Sequence, residues 1–335
     1  MTSAVDERDG RTLISADQFR EEVVTACRPL VLRDLVAHWP AVDQGGPGAL
    51  RDYLARFGPG IAMETFVGPP DIRGRYFYAD GLKGFNFERR TLRLAEALDQ
   101  MVQALDDPNA PTLYAGSLAL DDHLPGFTTE NVMPLLPPGV AGRIWLGHAS
   151  RVATHYDAFE NLACIVAGTR RFTLYPPSAV GDLYVGPIDN TLSGQPVSLA
   201  ASDPDNPAYP RFQAIRDQAL VADLNPGDAL FLPKLWWHQV EATAPFNGMV
   251  NYWWDAFAAG PDAPFTSLLL AMITLAERPE AERQAWRAFF DHYVFRPQGH
   301  PLAHLPAEQH GVLGPLKAGN YGRLRARVMQ LLRGG

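Results

Sequence analysis

Between Thr112 and Asp255 the chain breaks into short runs of β-branched and aromatic residues separated by Gly and Pro clusters. No other feature constrains the fold as much. Arg143-Ile144-Trp145-Leu146, Leu162 to Val166, Arg171 to Tyr175, Ala229 to Leu232 and Met249 to Trp254 each read as a strand. Punctuation of this kind predicts an all-β barrel or sandwich. The polar, Pro-rich stretch Gly186 to Pro210 reads as a long inserted loop, of the sort commonly found at the mouth of a site.

The flanks have a different texture. Residues 16–27 predict a short amphipathic helix, Pro29 to Leu32 a buried strand, and His38-Trp39-Pro40-Ala41 a turn. Leu50 to Phe57 and Leu92 to Leu105 predict helices, and Ile61 to Phe66 and Arg75 to Ala79 strands. After Pro264 the spacing of apolar residues turns helical, over Leu268 to Glu277, Glu280 to Tyr293 and Tyr321 to Leu332. There is no internal repeat. The expectation is a mainly β core flanked by helices over residues 1–258, with a helical segment over 259–335.

Composition narrows the function classes. With 47% hydrophobic residues the chain can bury a substantial core, and a net charge of -8 lacks the electrostatic footprint of a general phosphate-backbone binder. Nucleic acid is therefore not expected as a partner. The densest basic stretch, Arg323, Arg325, Arg327 and Arg333, reads as the solvated face of a last helix. Two cysteines far apart, Cys27 and Cys164, do not make a disulfide framework. Met1 to Gly10 has no signal-peptide character, and no apolar run is long enough to span a bilayer. A cytoplasmic protein without membrane partners is expected.

The chemistry is carried by Thr154-His155-Tyr156-Asp157. On a strand, side chains two apart share a face, so His155 and Asp157 can both enter a barrel. His238, in Trp236-Trp237-His238, follows the strand Ala229 to Leu232 and offers a third ligand. Two imidazoles and one carboxylate leave open positions on an octahedral metal, which lets Fe(II) take a co-substrate and O₂ together. Arg170 and Arg171 sit in an otherwise apolar strand. One of them faces inward, and a buried cation needs an anion, such as a metal-bound dicarboxylic acid. Arg170 is the inward choice.

In order and spacing these pieces resemble the JmjC-like, or cupin-like, family of Fe(II)- and 2-oxoglutarate-dependent oxygenases. Pro29 to Arg33 with Trp39-Pro40 is similar to the family's entry strand. His155-Tyr156-Asp157, Asn161, Gly168 to Phe172 and Leu174 to Pro177 resemble its central block. Asn225 to Asp228, Leu232-Pro233, Trp236 to His238 and Val250 to Trp253 resemble its closing block.

The resemblance implies a double-stranded β-helix in which His155, Asp157 and His238 bind iron. It implies that Arg170 stands where the family has a lysine on the far carboxylate of 2-oxoglutarate, and that Tyr114 bonds the same group. Asn161 and Asn251 fall where family asparagines line the co-substrate side. Two departures stand out. A family threonine is replaced by Val152, leaving Thr154 as the nearest hydroxyl and a candidate co-substrate contact. The lysine is an arginine, with different reach and geometry.

The implied activity is hydroxylation of a protein side chain or small molecule, with release of succinate and CO₂. The alternatives are a zinc hydrolase or isomerase on a cupin, and a non-catalytic binding protein. C-terminal helices form a dimer interface within the family, and the apolar cluster Leu268 to Ile273 points to a homodimer.

Overall fold

The computed structural model describes residues 3–334 except 43, 80–83, 108, 190 and 192–193. Among the described residues there are thirteen strands. They are β1 Ser3–Ala4, β2 Glu7–Asp9, β3 Leu30–Arg33, β4 Ala62–Gly68, β5 Arg75–Tyr76, β6 Glu88–Arg93 and β7 Thr112–Ala119. They continue with β8 Gly142–His155, β9 Glu160–Ala167, β10 Arg170–Tyr175, β11 Leu220–Leu224, β12 Ala229–Leu232 and β13 Trp237–Trp254. The chain divides into two compact units, Met1–Asp255 and Ala256–Gly335.

One strand organises the first unit. The N-terminal half of β13 pairs antiparallel with β10, Trp237 to Ala242 against Tyr175 to Arg170. Its C-terminal half, Gly248 to Trp254, pairs antiparallel with β9. Along most of its length it also pairs with β8, with a register shift between Ala242 and Phe246. Pro245 lies in that shift. Lacking an N–H it cannot join a ladder, so it marks the place where β13 leaves one sheet and enters the other.

The two sheets face each other. The larger runs β2-β3-β12-β9-β13-β8-β7-β4-β6, and the smaller adds β10, β11 and β1 to the other half of β13. Period-two alternation sends Phe172 and Leu174 of β10 and Ala222 and Leu224 of β11 inward. There they meet Ala163 and Ile165 of β9, Leu230 and Leu232 of β12 and Met249 of β13 in one buried cluster. This is the double-stranded β-helix that the motifs imply. Outside the larger sheet, helix α1 (Ala16–Glu22) starts where Ser15 accepts the Gln18 N–H. Its buried Phe19 meets the Phe231 ring edge-on at 5.8 Å.

Several elements differ from expectation. Leu92 and Arg93 end the strand Glu88–Arg93 instead of starting the helix: among the described residues this edge strand pairs only with β4, carries charges on both faces and shows no alternation. The stretch Gly186 to Pro210 is not a free loop. Ser198 N–H donates to the Thr154 carbonyl at 2.7 Å, and helices begin at Leu199 and Pro210. Its residues 190, 192 and 193 lie outside the described set.

In the second unit, helices span Pro264–Leu275, Glu280–Phe290 and Asn320–Arg333. Among the described residues no helix is long and apolar enough to cross a membrane.

Candidate metal centre

His155 ends β8 and His238 begins β13, and the two residues are directly paired across the ladder. Their rings stand 4.3 Å apart between centroids. A bulge in β8 between Val152 and His155 lets both residues, three apart, face the same cavity. Asp157 follows in the turn into β9, where its carbonyl accepts the Leu235 N–H at 2.8 Å. Its carboxylate Oδ2 is 3.7 Å from His238 Nε2.

The tautomers are set by the backbone. His155 Nδ1–H donates to the Ala153 carbonyl at 2.8 Å, and His238 Nδ1–H to the Trp236 carbonyl at 3.0 Å. Each Nε2 is thereby left as a lone pair for a cation. Burial, with His155 close by, pushes His238 down to about 4, against a smaller opposing pull from Asp157. It stays neutral at ordinary pH, as a metal ligand must. One donor atom from each of the three residues lies within 4.8 Å of the others. With bonds near 2.1 Å, neighbouring ligands sit roughly 3 Å apart, so small side-chain movements close this set on a divalent ion.

These residues open into a cavity of about 360 Å³ that Tyr114, Arg170, Asn161 and Asn251 also line. The two arginines part as strand alternation requires. Arg171 points out and pairs with Asp223 across the β10–β11 ladder at 2.7 Å. Arg170 is 3% exposed, and its Nε has no hydrogen-bond partner. Among the described residues no carboxylate faces it. Burial lowers its pKa, with only Tyr114 acting the other way. Burial also pushes the Tyr114 phenol well above its usual range, which keeps it a neutral donor. A cavity walled by an unpaired guanidinium and a phenol O–H suits a carboxylate.

Asn161 and Asn251 are hydrogen-bonded to protein. Trp145 Nε1 donates to Asn251 Oδ1 at 2.7 Å, Asn251 Nδ2 to Asn161 Oδ1 at 3.1 Å, and Asn161 Nδ2 to Asp157 Oδ2 at 3.3 Å. Thr154 corrects the expectation. It is fully buried but does not line the cavity, because on an extended strand it must face away from its neighbour His155. Val152, where the family has a threonine, does line it.

Sequence reasoning missed two groups. Trp253 Nε1 donates to Asp157 Oδ2 at 3.2 Å. Its position two after Asn251, on the same strand face, was the available signal. An aromatic wall of the cavity is built by Phe66, Tyr76 and Phe87, with the Phe66 and Phe87 rings stacked at 4.6 Å. These come from β4, β5 and the approach to β6, where no motif marks them.

Over 270 residues, 71% of this chain and 80% of the other, the chain is 27% identical to the human protein named bifunctional peptidase and (3S)-lysyl hydroxylase JMJD7. Over 251 residues, 72% of this chain and 58% of the other, it is 26% identical to Jumonji C domain-containing protein 5 of Drosophila melanogaster. A stretch of 113 residues, 33% of this chain and 20% of the other, is 38% identical to lysine-specific demethylase JMJ31 of Arabidopsis thaliana. The chain thus spans only part of the length of the fly and plant proteins. A family model described as a cupin-like domain matches residues 16–260, and on that match the chain belongs to the cupin-like domain family.

Proposed function

We propose that the protein is an Fe(II)- and 2-oxoglutarate-dependent oxygenase that hydroxylates a protein side chain or a small molecule. The observation that carries this reading is Arg170, a buried cation without an anionic partner among the described residues, in the same cavity as the His155, Asp157 and His238 donor set. A buried charge that the protein does not pair must be paired by what binds. A diacid that chelates a metal at one end and meets a guanidinium at the other satisfies both features. Zinc hydrolysis leaves Arg170 without a role, and no finding favours a non-catalytic barrel.

His155, Asp157 and His238 would hold the iron on one side and leave the cavity side open. When bound, iron with 2-oxoglutarate and O₂ supplies the oxidation: the diacid loses CO₂ to become succinate as a substrate C–H bond is hydroxylated. The chain's own residues do the rest. Arg170 and the Tyr114 O–H orient the far carboxylate. Phe172, Val240 and Met249, with the aromatic rings of Phe66, Tyr76 and Phe87, line the cavity with apolar surface that limits water around the reacting groups.

For the substrate we put a protein side chain first, because the human relative carries the name of a (3S)-lysyl hydroxylase. We also propose that the second unit mediates a homodimer. Support comes from the exposed Leu268, Leu269, Met272 and Ile273 on helix Pro264–Leu275. Light scattering at micromolar concentration checks the mass, and a monomer would refute it. Two unpaired cysteines, Cys27 and Cys164, support a reducing, cytoplasmic setting.

The deciding experiment is anaerobic titration of metal-free protein with Fe(II) and then 2-oxoglutarate, watching the visible charge-transfer band of the chelate. Wild type is expected to develop the band and Arg170→Ala to weaken it. No band in wild type, with tight zinc binding instead, would overturn the oxygenase reading.

A further inference from the structure

We propose that Asn161 and Trp253, backed by Asn251 and Trp145, are positioning residues that hold the Asp157 carboxylate in a single orientation toward the metal. The inference rests on the metal centre proposed above and adds a role for residues that otherwise count as cavity lining.

The hydrogen-bond chain has one possible polarity. An indole N–H can only donate, so Trp145 fixes the Asn251 amide with its oxygen toward the indole. The Asn251 nitrogen then faces Asn161 Oδ1, and the Asn161 nitrogen faces Asp157 Oδ2. The chain starts on a group that can only donate and ends on a carboxylate oxygen. A second donor-only group, Trp253, lands on the same oxygen. Two N–H groups on one oxygen fix the plane of the carboxylate and remove its freedom to rotate.

Burial makes the arrangement specific. Asn251 is 1% exposed and Asn161 6%. A barrel interior gains nothing from two amides unless their bonds are satisfied, and an apolar pair would pack as well. The register keeps the parts together: Trp253 lies directly opposite Asn161 across the β13–β9 ladder, and Asn251 opposite Ala163.

Trp253 is itself held in place. The Trp145 ring meets it edge-on at 5.8 Å, and the Arg143 guanidinium stands 5.8 Å from its ring centroid while donating to the Ser117 carbonyl at 2.8 Å. A cation near the ring face draws electron density from the indole and strengthens its N–H as a donor. The bonds to Oδ2, at 3.2 and 3.3 Å, are long for charge-assisted bonds. The expected effect of losing one therefore lies at the lower end of the range for such outer contacts, about tenfold in metal affinity.

The test is titration of the full-length, metal-free protein with Co(II), read by visible absorption, for wild type, Trp253→Phe and Asn161→Leu. Phe keeps the ring and removes the N–H. Each variant is expected to bind Co(II) about tenfold more weakly and to change the shape of the ligand-field bands, because a carboxylate free to rotate alters the coordination. Melting temperatures should stay close to wild type. Trp286→Phe is expected to leave both readouts unchanged, since that exposed indole lies on helix Glu280–Phe290 of the second unit and does not line the cavity.

Variants with wild-type affinity and wild-type bands overturn the proposal. So do variants that lose Co(II) only together with their folded baseline, which would make these residues supports of the fold. A wild type that takes up no Co(II) removes the metal centre, and this inference with it. A wild type that binds Co(II) but ignores 2-oxoglutarate sinks the oxygenase reading alone.

Discussion

Arg170→Met is expected to stabilise the ligand-free protein while weakening its co-substrate, opposite signs from one substitution. Arg170 is almost fully buried, no carboxylate among the described residues meets it, and its Nε is unpaired. One unsatisfied buried donor costs about 1–3 kcal/mol. The cavity beside it, about 360 Å³, has room for roughly ten waters, so the charge keeps part of its hydration. A methionine, whose last carbon reaches the position of the arginine Nε, removes the unpaired donor and keeps apolar contact with Phe172 and its neighbours. A net gain of about 1–2 kcal/mol corresponds to a melting temperature higher by about 2–8 °C for a unit of this size. With metal and 2-oxoglutarate present the order reverses. Losing one side of a buried charge pair costs about 2–5 kcal/mol, thirtyfold or more in dissociation constant. Wild type, held at about a hundred times its dissociation constant, gains about 2.7 kcal/mol that the variant largely forgoes. Differential scanning calorimetry, with Mn(II) in place of iron to prevent turnover, should show the two melting curves exchange order when the diacid is added. A variant that melts below wild type without ligand, or shifts equally with it, refutes the reasoning.

Arg171→Ala should leave 2-oxoglutarate binding unchanged and alter stability by less than about 1 kcal/mol, because its pair with Asp223 is solvent-exposed; a loss of co-substrate affinity by calorimetric titration would exchange the roles of the two arginines. Gly168→Ala should destabilise by about 2–4 kcal/mol. Gly168 has φ +67°, and an added Cβ would lie 2.3 Å from Asn247 Oδ1 and 2.4 Å from the Phe246 carbonyl; wild-type urea unfolding would contradict this. Burial lowers the pKa of both His148 and His238. Their neutral forms contribute stability that is complete above about pH 6.5, the unfolded value, and is lost as pH falls through the lowered folded values, about 4 for His238. Unfolding free energy of the metal-free protein should drop between pH 7 and 5, with a shallower slope in His148→Gln, and a pH-independent wild type would exclude the effect.

What could be read without coordinates follows a physical division. The H-x-D pair was legible from its donor types and close spacing, although Asp157 lies in the turn after β8 and not on the strand; the strand Ala229–Leu232 was legible because its apolar content is continuous, and Arg170–Tyr175 because its burial alternates. The inward course of Arg170 follows from the same alternation once Phe172 and Leu174 are taken as core. Other features depend on pairing between distant segments. The bulge that brings Val152 and His155 to one cavity, and the gathering of Phe66, Tyr76 and Phe87 at that cavity, leave no local pattern. Edge strand Glu88–Arg93 is invisible to hydrophobic periodicity because neither of its faces is buried. Thr154 stands close to His155 in sequence, but the extended strand turns its hydroxyl away from the cavity.

The strand Trp237–Trp254 also sets an order of events during folding. It arrives last among the sheet's strands, yet it lies between β8 and β9 in one sheet and pairs with both β8 and β10 in the other. Until it docks, each of those earlier strands has an open edge, and open edges invite pairing with other chains. Closure joins segments separated by up to about a hundred residues, which makes it slow. The same strand carries His238 at its start and Asn251 and Trp253 near its end. Ion capture and sheet closure are therefore one late step, and a nascent chain on the ribosome stays both metal-blind and aggregation-prone until Trp254 has emerged.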